Sequence, residues 1–531
     1  MPTGKVYLIG AGPGDPGLLT LKGKRCLEEA DVVIYDYLVD QRILAYARPE
    51  AELIYVGKKS GGDAVPQPEI NRLMIERAHG GATVARLKGG DPFLFGRGGE
   101  EAEELVAAEV PFEVVPGVTS ALAVPAYAGI PVSHREYASA VAIVSGHKEV
   151  WERAPHLNWT TLAGVGGTLV FLMGTRQLRN NMQRLLNHGL PAETPVALIR
   201  WGTRPDQEVL TGTVATIASL AAERGFEPPA IAVVGEVVRL RERLRWFDSK
   251  PLFGRRIVVT RPRAQAGGFV ELLEQRGAEV ILFPTIEIVP PESYERLDRA
   301  LNDLPSYHWL IFTSVNGVKY FFARLRTRRQ DIRSLATVRI AAIGPETARA
   351  VEAFQLRVDA IPAEYRAEAL VPTLGEVRDQ RILLPRAAAA REVLPQDLRA
   401  LGAHVDEIPV YQTARPQNSK TEKLRTLLKA GKIDLVTFTS SSTVRNFMAS
   451  FPADNGPALL GKSRVACLGP ITADTAREFG LAVAVQPETY TIPALAEAIG
   501  EYFGSQQSAR QGRTINSTGP FMFLFRLRTD S

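Results

Sequence analysis

From Arg255 onward the chain repeats itself with a period of about 125 residues, and no other feature restricts its fold as much. RRIVVTRPRAQAGGFVELLEQRGAEVILFPTIEI matches QRILLPRAAAAREVLPQDLRALGAHVDEIPVYQT, which starts at Gln380, with Arg261/Arg386, Gly277/Gly402 and Pro284/Pro409 in register. The copies continue through Thr313-Ser314 with Thr439-Ser440, and through Gly344-Pro345 with Gly469-Pro470. Such a duplicated series of strands and helices predicts two homologous α/β lobes. Clefts between lobes are preferred sites for small molecules.

Upstream the pattern is unrepeated. KVYLIG, DVVIYD, LIYVG, TVARLKGG and FEVVPG read as strands separated by amphipathic stretches such as PEINRLMIERAHGG, which predicts a parallel sheet over about residues 1–117. AVAIVSG, TLVFLMG, PVALIRWG, EVLTGTV and AIAVVGEVV predict a second α/β subdomain over 118–250. DSKPLFGRR brings Pro and Gly just before a new apolar strand, so the main boundary is expected near Pro251, with the duplicated region filling 251–504. Residues 505–531 are Ser/Gln/Arg/Gly-rich and non-periodic and are expected to form a disordered tail.

A chain of 531 residues is too long for one compact core, and its composition constrains the partners. The net charge of +5 is concentrated in the tail, where Arg510, Arg513, Arg526 and Arg528 face only Asp530. The body lacks the basic run or stripe of a nucleic-acid binder. Cys26 and Cys467 cannot build a disulfide framework or a Cys-rich metal site, and no metal is expected. Without an N-terminal signal pattern or an apolar run of about 18 residues, the expectation is a soluble cytoplasmic protein that does not engage membranes.

Gly10-Ala11-Gly12-Pro13-Gly14-Asp15-Pro16-Gly17 follows the first strand, where glycines allow backbone to approach a ligand. Asp36, at the end of the second strand, stands where a nicotinamide-binding protein carries its ribose-binding acid. The spacing opposes that reading: Asp15, between Pro13 and Pro16, occupies the place where the dinucleotide fingerprint needs Gly or Ala.

The set GAGPGDPGLLTLKG, VIYDYLV, VGKK, RLKGGDPFLFGRGGEE, VVPGVTSA, SHRE, FLMG and WGT, in this order over residues 5–250, resembles uroporphyrinogen-III C-methyltransferase of the tetrapyrrole methyltransferase family. The resemblance implies S-adenosylmethionine as methyl donor, held between two subdomains, and a tetrapyrrole methylated twice to precorrin-2, on the way to siroheme or cobalamin. It places Pro13, Gly89, Gly90, Asp91, Leu94, Thr119, Ser120, Met173 and Gly202 at the methyl donor. Ser120 stands where the family often has Ala. It makes Asp36 the proton acceptor and Lys58 the donor, with Arg97 and His134 as weaker candidates for substrate carboxylates. The expected assembly is a homodimer through this half.

The repeat itself, with VVTRPRAQA, FTSVNGV, AIGPETA, LLPRA, VYQT, FTSSSTV and LGPITADTA, resembles uroporphyrinogen-III synthase over 254–503. This implies a chain that crosses from one lobe to the other and returns, so that lobe one comprises about 254–284 plus 414–503 and lobe two about 288–410. The segments near Pro284 and Pro409 are the expected connections. The implied reaction closes linear hydroxymethylbilane with inversion of its last ring. Thr313, Ser314, Asn316, Ser440, Ser441 and Thr472 are candidate donors to the substrate, Arg261 and Arg386 candidate carboxylate ligands, and Tyr411 the candidate that assists hydroxide loss. A non-catalytic lobe pair that senses tetrapyrrole is the alternative for this half.

Overall fold

A computed structural model describes residues 3–57, 65–147, 157–363, 367–388, 393–414, 416, 421–452, 454 and 456–515. Among them the strands form four five-stranded sheets. The chain divides into two compact units, one of residues 1–256 with 273–279 and 500–531, the other of 257–272 with 280–499.

The first sheet contains β1 (Val6–Gly10), β2 (Val32–Tyr35), β3 (Glu52–Tyr55), β4 (Val84–Lys88) and β5 (Phe112–Val115), in the order β3-β2-β4-β1-β5. Every pairing is parallel. The near-continuous apolar runs of its central strands follow from burial on both faces. Val6, Leu8 and Val84 pack with Ile70, Met74 and Leu105 on one side, while Ile9, Ala85 and Leu87 pack with Cys26 and Leu27 on the other.

The glycine loop leads into a 3-10 turn, Pro16–Leu18, and the first helix, Leu21–Glu29, begins only after Thr20. Thr20 Oγ1 accepts from Gly23 N at 3.0 Å, a cap that stabilises a helix start by about 1 kcal/mol. The pyrophosphate-binding helix of a dinucleotide site would have to start at the loop itself. The ends of β1, β4 and β5 meet so closely that a Cβ on Gly117 would lie 2.3 Å from the Gly90 carbonyl oxygen and 2.6 Å from Gly10 Cα.

The second sheet contains β6 (Val141–Ser145), β7 (Thr168–Leu172), β8 (Pro195–Arg200), β9 (Glu208–Thr213) and β10 (Ala230–Val234), in the order β6-β7-β10-β8-β9. It is mixed: β6 and β7 are parallel, and the remaining pairs are antiparallel. One face packs Phe171, Val196 and Leu198 against Met182, Leu185 and Ile217. The other packs Val170, Ile199 and Val233 against Ala121 and Val124 of the helix Ser120–Tyr127.

The second unit turns the sequence repeat into two sheets whose four equivalent strands follow the same order, with the fifth strand added at opposite ends. One is β12-β11-β18-β19-β20, from β11 (Arg256–Val259), β12 (Glu279–Leu282), β18 (Leu435–Phe438), β19 (Arg464–Cys467) and β20 (Val483–Val485). The other is β13-β17-β16-β14-β15, from β13 (Glu287–Val289), β14 (Trp309–Phe312), β15 (Arg339–Ala342), β16 (Arg381–Ala387) and β17 (His404–Ala414). The repeat equates β11 with β16, β12 with β17, β14 with β18 and β15 with β19. Each sheet therefore joins the first part of one copy to the second part of the other. The crossing segments pair antiparallel, Glu287 with Ala414 through Val289 with Gln412. Pro409 lies inside β17, opposite Arg386, and the register slips there, so that Ala387 faces Tyr411. Proline cannot donate to the ladder, and a bulge is where a strand tolerates it.

The chain past residue 505 departs from expectation. The helix Ile492–Ile515 runs through the first part of the stretch read as a structureless tail, and residues 516–531 lie outside the described residues. Leu495, Ile499 and Phe503 are buried at four-residue spacing and anchor the helix. Extending a formed helix through Gln, Ala and Arg is easier than nucleating one.

Candidate functional site

In the first unit a cavity of 440 Å³ opens where the ends of the two sheets converge. Pro13, Gly89, Gly90, Asp91, Leu94, Thr119, Ser120, Met173 and Gly202 all line it, although they come from five separate stretches of chain. Its floor is backbone. Gly12 N donates to Gly90 O at 3.2 Å, and Gly90 N to Gly12 O at 2.7 Å. Gly90 takes φ +71°, a conformation that costs a residue with a Cβ. Phe95, Met173 and Trp201 also line the cavity and hold φ of 53°, 58° and 48°, so the surrounding fold maintains backbone strain at the site.

Asp91 supports the loops rather than simply offering a free carboxylate. Its Oδ1 accepts from Phe93 N at 2.8 Å and Leu94 N at 3.0 Å, and its Oδ2 from Gly117 N at 3.0 Å. Thr119 caps the helix Ser120–Tyr127. Asp15 ties the glycine loop down: its backbone N–H donates to Thr203 Oγ1 at 3.0 Å, and its Oδ2 accepts from the Tyr127 hydroxyl at 2.7 Å. Burial, together with that hydrogen bond, pushes the Tyr127 phenol well above its ordinary pKa.

Asp36 does not line the cavity. It precedes Leu38, which does, by two residues, and its Oδ1 accepts from Leu38 N at 3.1 Å. Its Oδ2 lies 3.8 Å from Arg86, which belongs to a buried charge cluster. There Glu101 Oε1 accepts from Lys88 at 2.7 Å, Gln67 at 3.0 Å and Arg86 at 3.2 Å. Desolvation pulls the Lys88 pKa down. Lys58 lies outside the described residues. Arg97 is exposed and pairs with Glu100, and His134 closes a turn by accepting from Glu136 N at 3.2 Å. Sequence reading missed His147, Arg176, Trp201 and Arg204 in the lining. Of these only Trp201 stood in a motif, WGT.

In the second unit the candidates gather at the carboxyl ends of parallel strands, the edge where open α/β sheets bind ligands. Thr313 and Ser314 follow β14, and Ser314 Oγ caps the helix Val315–Thr327 by accepting from Gly317 N at 3.0 Å. Ser440 follows β18 and forms a capping box with Thr443. Ser441 Oγ donates to Ile471 O at 3.2 Å and accepts from Thr475 at 2.8 Å. Thr472 is buried in the first turn of the helix Pro470–Glu478. Two of these hydroxyls, those of Ser314 and Ser440, are thus engaged in holding helix starts. Tyr411 is 8% exposed, and its hydroxyl lies 3.1 Å from Ser314 Oγ. Among the described residues no group of three His, Cys, Asp or Glu side chains is placed to hold a metal ion, and no helix is long and apolar enough to cross a membrane.

The family model of tetrapyrrole (corrin/porphyrin) methylases matches residues 5–218, and that of uroporphyrinogen-III synthase HemD matches residues 268–497. The porphyrin biosynthesis protein HemD of Ruminiclostridium josui is 39% identical over 511 residues, covering 95% of this chain and 99% of its own. The chain belongs to the tetrapyrrole methylases in its first half and to the uroporphyrinogen-III synthases in its second. The S-adenosyl-L-methionine-dependent uroporphyrinogen III methyltransferase of Methanosarcina barkeri is 55% identical over 239 residues, 45% of this chain and 94% of that protein. A crystal structure of the uroporphyrin-III C-methyl transferase from Thermus thermophilus, complexed with S-adenyl homocysteine, is 43% identical and covers 45% of this chain and 94% of that one, with a TM-score of 0.39.

Proposed function

We propose that this is a bifunctional tetrapyrrole enzyme. Residues 251–504 cyclise hydroxymethylbilane to uroporphyrinogen III, and residues 1–250 methylate that product twice with S-adenosylmethionine to precorrin-2. The observation that carries the methylation is the meeting of nine residues from five stretches of chain around one cavity. The naming of the Methanosarcina barkeri relative supports the choice of methyl donor.

The cavity suits that donor in size and chemistry. Its volume is that of a small-molecule site. Leu38, Leu94, Val124 and Ile231 offer apolar walls, Gly89 and Gly90 leave room beside the backbone, and Asp91, Thr119 and Ser120 offer polar atoms. When bound, S-adenosylmethionine supplies an electrophilic methyl group. Met173 packs against the donor, and Asp91 keeps the loops around it in place. Asp36 takes the proton that the methylated ring must lose, held by the Leu38 N–H and facing the Arg86 guanidinium.

In the second half the catalytic task is positioning a reactive chain. Backbone amides at the helix starts after β14, β15, β18 and β19 receive its carboxylates, and Tyr411 donates to the departing hydroxide. No metal is assigned to either step. A homodimer formed through the first half, and a cytoplasmic location, complete the reading.

The test is incubation of the purified chain with hydroxymethylbilane, with and without S-adenosylmethionine. Uroporphyrinogen III is expected without the donor and precorrin-2 with it. Formation of only the uninverted isomer would remove the synthase assignment, and would favour the sensing lobe pair.

A further inference from the structure

The internal duplication places the same arginine in two environments. Arg261 and Arg386 are equivalent, one immediately after Thr260 at the end of β11 and the other near the end of β16. Arg386 is buried, and its guanidinium donates to Glu407 of the neighbouring β17 at 2.7 Å. Arg399 pairs with the same carboxylate at 2.8 Å. The residue equivalent to Glu407 in the other copy is Leu282, because the copies are offset by 125 residues in this region. Arg261 consequently has no carboxylate partner among the described residues. Among the described residues its guanidinium hydrogen-bonds to Gln265 Oε1 at 3.4 Å, a turn further along.

A half-buried guanidinium without a counter-charge is costly to keep. Desolvation, unopposed by any anion, pulls its pKa below the usual arginine value. The position explains what it can do there. Arg261 stands at the carboxyl end of a parallel strand, beside the strand that leads to Ser440. A forked guanidinium binds a carboxylate with two parallel hydrogen bonds, and an anionic ligand would restore the missing charge.

We propose that Arg261 is the carboxylate anchor of lobe one, taking an acetate or propionate group of the linear tetrapyrrole, and that Arg386 is structural. The inference rests on the reading of the second half as the cyclising synthase. The copy that carries Leu282 leaves its arginine open to a substrate carboxylate, while the copy that carries Glu407 holds its arginine in an ion pair.

The experiment uses the full chain and measures KM and kcat for hydroxymethylbilane, with methylation of supplied uroporphyrinogen III as a check on the rest of the protein. Arg261→Gln should raise KM about tenfold with a smaller change in kcat and an unaltered melting temperature. Arg261→Lys should recover part of the loss, since it keeps the charge and loses the fork. Leu282→Glu supplies the missing carboxylate, so it should raise KM with Arg261 in place and add little to Arg261→Gln. Arg386→Gln should lower the melting temperature. An unchanged KM in Arg261→Gln, or a melting loss there like that of Arg386→Gln, would overturn the proposal. A wild-type chain that forms no uroporphyrinogen III would instead overturn the synthase reading itself.

Discussion

The Tyr411 hydroxyl lies 3.1 Å from Ser314 Oγ, the same oxygen that accepts from Gly317 N and caps the helix Val315–Thr327. The register slip after Pro409 immediately precedes this tyrosine, and its ring stands 5.8 Å from that of Tyr320. One serine thus links the candidate catalytic phenol to a helix start.

The link separates two effects. Tyr411→Phe should reduce synthase turnover by roughly 5- to 150-fold, the equivalent of a lost hydrogen bond of about 1–3 kcal/mol, and leave methylation of supplied uroporphyrinogen III unchanged. Ser314→Ala should also slow the synthase, and in addition lower thermal stability by about 1 kcal/mol through the lost cap. The double variant should lose less activity than the two single losses combined. Wild-type formation of the inverted isomer in Tyr411→Phe would refute the role.

Asp91 and Asp36 should fail differently. Asp91→Ala removes the acceptor of three backbone N–H groups, so calorimetry should find S-adenosylmethionine binding at least about tenfold weaker together with a lower melting temperature. Asp36→Asn should keep binding close to wild type while turnover falls by about 100-fold or more, as removal of a general base does. Equal loss of affinity in both variants would contradict the division of roles.

Glu101 holds two buried cations. Glu101→Gln leaves Lys88 and Arg86 without their shared buried carboxylate, and unfolding by denaturant should show a loss of about 3–5 kcal/mol. Glu103, exposed on the same helix, should tolerate Gln within about 0.5 kcal/mol.

Acid should loosen the first sheet at one identifiable point. Glu113 pairs with Lys5 at 2.5 Å and with Lys22, and these hydrogen bonds lower its pKa from 4.5 to about 2. A carboxylate with a depressed folded pKa stabilises above its unfolded value and loses that contribution as pH falls through the folded one. The melting temperature should therefore decline between pH 4.5 and about 2. Glu113→Gln should flatten part of that decline, and added salt should shrink the difference between the two proteins. Identical acid profiles would show that the pair contributes nothing.

Strand positions, the glycine loop and the duplication were legible in the amino-acid order alone, because side-chain alternation, turn chemistry and repetition are local properties. The runs VYLIG and VARLK announced strands of a parallel sheet, and the motifs around Gly89-Gly90-Asp91 and Val410-Tyr411 carried the family resemblance. Partnership across the fold was not legible. The mixed order of β6 to β10 and the exchange of halves between the lobes depend on pairing of segments far apart in the chain, which local pattern does not encode. Ser440 and Ser441 read as candidate donors or as turn and helix caps alike, and only the structure decided: Ser440 caps a helix and Ser441 bonds to the helix Pro470–Glu478. The helix Ile492–Ile515 crossed a compositional boundary because packing of its first turns, not the composition of its last, set its start. Most plainly, Arg261 and Arg386 stand at equivalent positions of the repeat, and tertiary contact shows what the Leu282/Glu407 difference does: among the described residues a carboxylate reaches one and not the other.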